Sequence, residues 1–275
     1  MNTGIADACN LTRQFSLRWR YGVGRPLSRP GSPCPSPDWS SMMTGMKIVH
    51  RHAWNVSVAE AIRIQKELRA RIVDRDDFGP IRAIAGVDIS TAGNLARAAV
   101  VVLSYPGLQP MEQCSAARPI QFPYVPGLLA FREVPAILDA LEKLRLEPDL
   151  IMADAQGLAH PRRFGLASHL GMILDKPTIG CAKSRLCGEH AEPGEKAGNW
   201  APLTDGGEVI GAAVRTMDAT NAVYVSVGHR VSLESAIQMV LKCCRKYRLP
   251  EPTRLADQAA SGAVVVEQGR QGSLF

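Results

Sequence analysis

The chain carries a carboxylate, a histidine and two arginines within one short segment, residues 148–171. An apolar run typical of a buried strand ends at Asp154, and His160, Arg162 and Arg163 follow within nine residues. Ligand sites of open α/β sheets collect where strands end. The spacing therefore indicates a metal-supporting acid beside a phosphate-binding loop. The alternative is an aspartate that caps its strand, followed by a solvated basic loop.

Three further acids lie in predicted strands or helices. Asp88 ends the first predicted strand, Glu133 lies in the first turn of a predicted helix, and Asp257 lies in the last predicted helix. Together with Asp154, such carboxylates suit a hard divalent cation and the hydrolysis of phosphodiesters. Lys183, at the end of a later strand, could neutralise charge on the transition state. Each acid taken alone could equally be a cap or a surface charge.

The elements that must position these residues form a mixed α/β pattern, with an antiparallel meander followed by alternating helices and strands. Ser57 followed by Glu60 is a capping box that begins an amphipathic helix. No internal repeat is present. The predicted strands are 81–90, 98–105, 111–120, 150–153, 176–184, 209–215 and 222–227; further helices are predicted from near 131, at 165–174, 232–246 and 252–260, and residues 187–207 are predicted to be a loop.

Composition narrows the class of protein. The chain has 275 residues, 46% of them hydrophobic, a net charge of +6 and a pI near 9.0, which favours anionic partners only mildly. Its seven cysteines form no CxxC pair, a pattern that favours reduced thiols in a cytoplasmic protein over a disulfide framework. No apolar run is long enough to span a membrane and no signal peptide is recognisable. These features predict a cytoplasmic protein without a membrane partner.

The sequence also predicts the domain organisation. Residues 1–45, rich in proline and serine around 25–38, are expected to be a disordered extension, because they cannot bury enough apolar surface to offset ordering entropy. Methionines at 42, 43 and 46 offer alternative translation starts. Residues 55–260 are predicted to be one catalytic domain, and residues 261–275 a flexible tail.

Several segments resemble the endonuclease V family, the deoxyinosine-specific endonucleases of DNA repair. A proline-flanked tyrosine, an FRE helix start and the AHPRR and ASHLG motifs together are highly specific, and the resemblance covers roughly residues 57–260. The segments are GVDIS (86–90), FPYVPGLLAFRE (122–133), PDLIMADAQGLAHPRRFGLASHLG (148–171), KPTIGCAKSRLCG (176–188), VYVSVGHRVSL (223–233) and YRLPEPTRLAD (247–257).

The resemblance implies an RNase H-like fold, a mixed five-stranded sheet with helices on both faces. It places the metal-binding aspartates on Asp88 and Asp154, the catalytic glutamate on Glu133 and the active-site lysine on Lys183. The late acidic position beside the metal falls on Asp257. The implied cofactor is Mg²⁺, for which Mn²⁺ could substitute, and the implied catalytic set is these five residues.

The resemblance further implies that a wedge at Pro123-Tyr124-Val125-Pro126 enters the nucleic acid at the lesion. Rigid prolines and an aromatic ring suit this role, because the ring replaces the stacking lost when a base is flipped out. The flipped hypoxanthine would lie against backbone near Gly127, Leu128 and the loop ending at His160. Arg132 is a candidate phosphate contact, as are the two arginines after His160 unless these are solvated. His160 is expected to touch nucleic acid rather than only brace its loop.

The implied activity is cleavage of the second phosphodiester bond 3′ to deoxyinosine in single- or double-stranded damaged DNA, by a monomer. The alternative within the enzyme class is an inosine-specific endoribonuclease, because the 2′-hydroxyl contacts that would distinguish the two are not legible in sequence. A non-catalytic inosine-binding module is disfavoured because all the acids are present. A junction-resolvase type of nuclease is disfavoured by the proline-flanked tyrosine. One departure is Ala155, which stands where many relatives have glycine.

Overall fold

The fold is built on one eight-stranded mixed sheet. It is seen in a computed structural model that describes residues 46–50 and 52–266, so the extension predicted for 1–45 lies outside the described residues. The strand order is β3-β2-β1-β4-β5-β8-β7-β6; β4 is parallel to both β1 and β5, and all other neighbours are antiparallel. The strands are β1 (Ala83–Ala92), β2 (Leu95–Ser104), β3 (Pro110–Pro119), β4 (Leu150–Ala153), β5 (Thr178–Ala182), β6 (Trp200–Asp205), β7 (Glu208–Val214) and β8 (Val223–His229).

Helices cover both faces of this sheet. One apolar cluster joins the sheet to α2 and α3, and a second cluster on the other face joins it to α4 and α5. No helix within the described ranges is long and apolar enough to cross a membrane. The helices are α1 (Val58–Arg69), α2 (Leu129–Leu141), α3 (Leu166–Leu174), α4 (Leu233–Cys243) and α5 (Glu251–Ala260).

Strand alternation decides which side chains meet which helices. Ala85 and Val87 of β1 belong to the cluster with α2 and α3, whereas Ile84 belongs to the cluster with α4 and α5. Successive side chains of a strand point to opposite faces, so Asp88 shares the face of Ile84. The same rule applies to β4, whose residues divide between the two clusters, whereas Ile179 and Cys181 of β5 both belong to the cluster with α4 and α5.

Helix α5 approaches β1 more closely than most side chains would allow. A Cβ at Gly86 would lie 1.8 Å from the carbonyl oxygen of Pro252, which is less than any real contact. Only glycine therefore lets the first turn of α5 rest on this strand. This close approach carries the middle of α5, with Asp257, toward Asp88.

The mixed sheet with helices on both faces is confirmed, but it has eight strands rather than the five that the resemblance implied. The predicted five correspond to β3-β2-β1-β4-β5, and β8, β7 and β6 continue the sheet by antiparallel pairing. Strand β6 lies inside the stretch predicted to be a loop, because its short alternating pattern is interrupted by Pro202. The start of the predicted tail is held by Gln113, which hydrogen-bonds Ala263 and Val265.

Two acids occupy positions that differ from the sequence prediction. Asp88 lies inside β1 rather than at its end, because β1 continues in pairing with β2 after its pairing with β4 stops at Val87 and Ala153. Glu133 lies in the second turn of α2 rather than the first, because the helix begins at Leu129.

Candidate active site and nucleic-acid interface

Three aspartates from three elements converge where β4 ends. The backbone amide of Asp154 donates to the carbonyl of Val87 at 3.1 Å, which places Asp154 beside Asp88 on the neighbouring parallel strand. Carboxylate oxygens of Asp88, Asp154 and Asp257 all lie within 4.8 Å of one another. Such a set of hard oxygen donors fits a divalent cation such as Mg²⁺. Asp257 of α5 thus lies beside Asp88 and Asp154, the two predicted metal ligands.

Lys183 follows β5 and lies against the same acids. Its ammonium group is 2.6 Å from a carboxylate oxygen of Asp154 and 2.8 Å from one of Asp257. Although burial works against the charge, the hydrogen bonds to these carboxylates raise the pKa of Lys183 above its ordinary value. The lysine therefore stays protonated at neutral pH and brings a positive charge to the cluster.

Glu133 completes the cluster from the other face of the sheet. Burial, with the nearby charge of Asp88, raises the pKa of Glu133 to about 7. Burial, with the charge of Asp154, likewise raises the pKa of Asp88 to about 7. A carboxyl whose pKa lies near the working pH can accept a proton from water and release it again. Perturbed acids grouped in this way are typical of a catalytic site.

A short exposed loop lies just before α2. Phe122 and Leu128 are buried and fix its two ends, whereas the Tyr124 side chain between them is 72% exposed. Pro123 and Pro126 flank the tyrosine and are exposed as well. An aromatic ring held in solvent by two prolines contributes little to the core, so its position points to an intermolecular contact.

The Arg132 side chain supports this loop from α2. Its guanidinium group donates to the carbonyl of Phe122 at 3.1 Å, and its central carbon lies 5.7 Å from the centre of the Tyr124 ring. The Arg132 side chain therefore contacts the loop at Phe122 and lies beside the exposed Tyr124 ring.

The far end of the loop is anchored at Gly127. Its carbonyl oxygen accepts from Gln65 at 3.0 Å, from His160 at 3.1 Å and from Arg162 at 2.6 Å. Gly127 has a φ of +77°, a conformation that glycine adopts without strain. Three converging donors hold the end of the loop against the Asp154 loop and α1. The tyrosine is thereby presented on a rigid base.

The sequence model of the Endonuclease V family matches residues 66–258. The chain belongs to the endonuclease V family. An endonuclease V of Roseiflexus sp. (strain RS-1) is 56% identical over 208 residues, covering 76% of this chain and 94% of the relative. The chain is accordingly a nuclease, a hydrolase of phosphodiester bonds.

Solved structures of endonuclease V proteins have the same fold. The crystal structure of endonuclease V from Streptomyces avermitilis matches with a TM-score of 0.73 and 42% identity, over 79% of this chain and 96% of that one. Endonuclease V of Ciona intestinalis, in complex with a 24mer DNA containing an inosine followed by a ribo-adenosine, matches with a TM-score of 0.65 and 33% identity. That match covers 74% of this chain and 95% of the Ciona chain.

The basic loop of this endonuclease V is neither free nor merely solvated. Arg163 pairs with Asp205 at 2.8 Å and with Glu208 at 2.7 Å. Arg162 donates to Gln65 and to the Gly127 carbonyl. Both guanidinium groups thus bind other groups of the protein. This arrangement differs from the two alternatives left open by the sequence, a phosphate contact and a solvated charge.

His160 is 4% exposed, and its Nδ1 accepts from the backbone amide of Arg162. Burial and the positive charge of Arg162 lower its pKa to about 4, so the ring is neutral and donates through Nε2 to Gly127. The geometry favours the bracing alternative over direct contact with nucleic acid. Leu128 is fully buried as well, backbone included, so it presents no surface to a ligand in this conformation. Ala155 is buried and is not among the residues with positive φ, so replacing glycine there introduces no backbone strain.

Two supporting residues were missed by the sequence reasoning. Gln65 is 1% exposed and shares the buried face of α1 with Ala61 and Ile64, so a polar residue on that apolar face was the available signal. Arg248 adds positive charge near Asp154: burial raises the pKa of that aspartate, and the charges of Lys183 and Arg248 oppose the rise. No spacing rule links residues 154 and 248, so this proximity was not readable from the sequence.

Proposed function

We propose that this endonuclease V is a metal-dependent deoxyribonuclease that recognises deoxyinosine and cleaves the second phosphodiester bond 3′ to it. The observation that carries the proposal is the combination of the acid cluster with an exposed, proline-flanked tyrosine one loop away. The Ciona relative bound to inosine-containing DNA supports the choice of base.

In this proposal Asp88 and Asp154, with Asp257 beside them, hold Mg²⁺ or Mn²⁺. The ion supplies Lewis acidity toward the phosphate and lowers the pKa of bound water. Glu133 accepts the proton of the attacking water on its carboxylate, for which a pKa near 7 is suited. The Lys183 ammonium group stabilises the negative charge that develops on the phosphate oxygens.

Recognition is assigned to the loop that presents Tyr124. The ring takes the place of the base that leaves the stack, and Pro123 and Pro126 keep it from collapsing onto the protein. The expelled base is received by backbone at Gly127, which is partly exposed, next to the buried Leu128. Opening a mismatched inosine pair costs less than opening a normal pair, which contributes to selectivity. Arg132 and His160 support this loop from the protein side.

The test is strand cleavage of matched oligonucleotides that carry one deoxyinosine in DNA or one inosine in RNA, with Mg²⁺, Mn²⁺ or chelator. Wild type is expected to cut the DNA at the second phosphodiester 3′ to the lesion, and chelator or Asp88→Ala to abolish cleavage. Tyr124→Ala is expected to lose preference for inosine over adenosine, whereas Tyr124→Phe, which keeps the ring, retains it. Glu195→Gln, an exposed acid on a distant loop, is the matched control for the acid substitutions.

The second candidate is an inosine-directed endoribonuclease. The observation in its favour is that the DNA bound by the Ciona relative contains a ribo-adenosine directly after the inosine. Preferential cleavage of the RNA oligonucleotide would replace the first proposal with this one. Absence of cleavage on both substrates with either metal would contradict both. The cytoplasmic location and the monomeric state stay predictions from the sequence.

A further inference from the structure

A second exposed tyrosine lies on the other side of the acid cluster. Tyr247 belongs to the segment KCCRKYR (242–248), which connects α4 to α5, and its side chain is 53% exposed. The active-site arrangement described above makes no use of this residue. Its neighbours in sequence are basic, which sets it apart from the other exposed hydrophobic positions.

The charge on the segment that contains Tyr247 is all of one sign. Residues 235–250 contain four basic residues and no acid. Lys242, Arg245 and Lys246 are exposed, and within the part of the chain that the structure describes none of them takes part in an ion pair; Arg245 donates to the carbonyl of Pro106 at 3.1 Å, which leaves its charge unneutralised. Arginines elsewhere, such as Arg163 and Arg215, are neutralised by acids. Uncompensated positive charge beside an exposed ring is the usual surface for a nucleic-acid strand.

The ring of Tyr247 is held in a fixed position. The guanidinium carbon of Arg254 lies 4.5 Å from the centre of the ring, a cation–π contact. Arg254 is itself paired with Glu251 on the same helix. A ring fixed from one side and more than half exposed loses little conformational freedom when a base stacks on it.

The position of the Tyr247 ring relative to the acids indicates the path of a bound nucleic-acid strand. Arg254 and Asp257 are three residues apart on α5 and therefore lie on the same face of that helix. Asp257 contacts Lys183 in the acid cluster. Helices α4 and α5 cover one face of the sheet, whereas α2, with Glu133 and the Tyr124 loop before it, covers the other. The two exposed tyrosines thus flank the acids from opposite faces.

We propose that Lys242, Arg245, Lys246 and Tyr247, named here the α4–α5 basic surface, bind the strand that continues 3′ from the cleaved bond. A base stacks on Tyr247, and the basic side chains pair with phosphates. The proposal rests on the proposed function, since the lesion lies at Tyr124 and the cut lies 3′ of it. The strand leaving the acids away from Tyr124 then passes over α5.

The test measures binding of single-stranded DNA that carries one deoxyinosine, with four nucleotides on its 5′ side and two, five or nine on its 3′ side. Fluorescence anisotropy is recorded in chelator so that the strand stays intact. For wild type, the dissociation constant is expected to fall about tenfold or more as the 3′ segment grows. Tyr247→Ala is expected to lose most of that gain, and Tyr247→Phe, which keeps the stacking ring, to retain it.

Charge is tested separately through the salt dependence of binding to the nine-nucleotide form. Lys246→Ala is expected to reduce the slope of log K against log salt by about 0.7. Lys143→Ala is the matched control, because this exposed lysine lies beyond the far end of α2 and is expected to leave the slope unchanged. An equal loss of slope in both variants would overturn the assignment of phosphates to this surface.

The outcomes separate this proposal from the proposed function. If wild type cleaves deoxyinosine DNA but its affinity does not depend on 3′ length, the α4–α5 basic surface is not a binding surface. The same conclusion follows if Tyr247→Ala weakens binding of the strand with two nucleotides on its 3′ side as much as binding of the strand with nine. If wild type cleaves no deoxyinosine substrate, the proposed function itself is wrong.

Discussion

Replacing Asp88 by asparagine is expected to stabilise the metal-free protein, and to do so increasingly as pH rises. Burial and the charge of Asp154 raise the pKa of Asp88 from 3.8 to about 7 in the folded state. The folded protein thus holds this proton more tightly than the unfolded chain does. The free energy of unfolding therefore falls as pH rises through the interval between the two values.

The magnitude follows from the two pKa values. One pKa unit corresponds to about 1.4 kcal/mol, so ionisation of Asp88 costs the folded state up to about 4 kcal/mol at pH 8, and about 2 kcal/mol less at pH 5.5. Asparagine removes the charge but remains a buried polar group, and Lys183 loses one attractive neighbour. The net gain expected at pH 8 is about 2 kcal/mol, which corresponds to a rise in Tm of about 4–8 °C for a domain of this size.

The assay is thermal and urea unfolding of wild type and Asp88→Asn in chelator at pH 5.5 and pH 8. Glu195→Gln, a substitution of an exposed acid, serves as control and is expected to change stability by less than about 0.5 kcal/mol at either pH. A gain in stability that is the same at both pH values, or a loss of stability at pH 8, would show that the charge of Asp88 does not destabilise the folded state. Adding Mg²⁺ is expected to stabilise wild type more than Asp88→Asn, because the ion binds only the folded state.

Three other expectations concern the supports of the site. Gly86→Ala places a methyl group against the Pro252 carbonyl and is expected to cost about 2–4 kcal/mol in thermal unfolding and to lower cleavage, whereas Gly79→Ala, with open space around it, is expected to be neutral. Gln65→Leu removes a donor to the Gly127 carbonyl and is expected to lower the free energy of unfolding by about 2 kcal/mol. It is also expected to raise KM for inosine DNA more than it lowers kcat, and an unchanged KM would contradict the anchoring role. Affinity for Mg²⁺ is expected to rise between pH 5.5 and pH 7.5, with proton release in calorimetry, because two of the acids hold protons up to about pH 7.

Much of the site was readable from the sequence because its residues follow strand periodicity. Asp154 and Lys183 each come directly after a short apolar run that could only be a buried strand. The role of the proline-flanked Tyr124 was implied by the resemblance, and its local chemistry, an aromatic ring between two prolines, agrees with that role. Each of these features is defined by residues adjacent in sequence, so it can be recognised without a structure.

Contacts between distant segments were not readable in this way. His160 was expected to meet nucleic acid, but it is buried beneath a carbonyl thirty-three positions earlier in the chain. Arg163 finds its acids on β6 and β7, of which β6 was taken for a loop. The pattern missed only β6 among the eight strands; the count of five came from the resemblance, and the antiparallel pairing of β8 with β5 that extends the sheet is a contact between distant segments.

The alternation that orients Asp88 has a consequence for how the gene can vary. Deleting one codon between Ile84 and Asp88 would turn the aspartate to the opposite face of the sheet, toward α2, while leaving the composition of the strand almost unchanged. Deleting two codons would restore the face but shift the carboxylate by about 7 Å along the strand. Among related genes, in-frame length changes are therefore expected at the turn around Gly93, and substitutions rather than deletions in the strand before it.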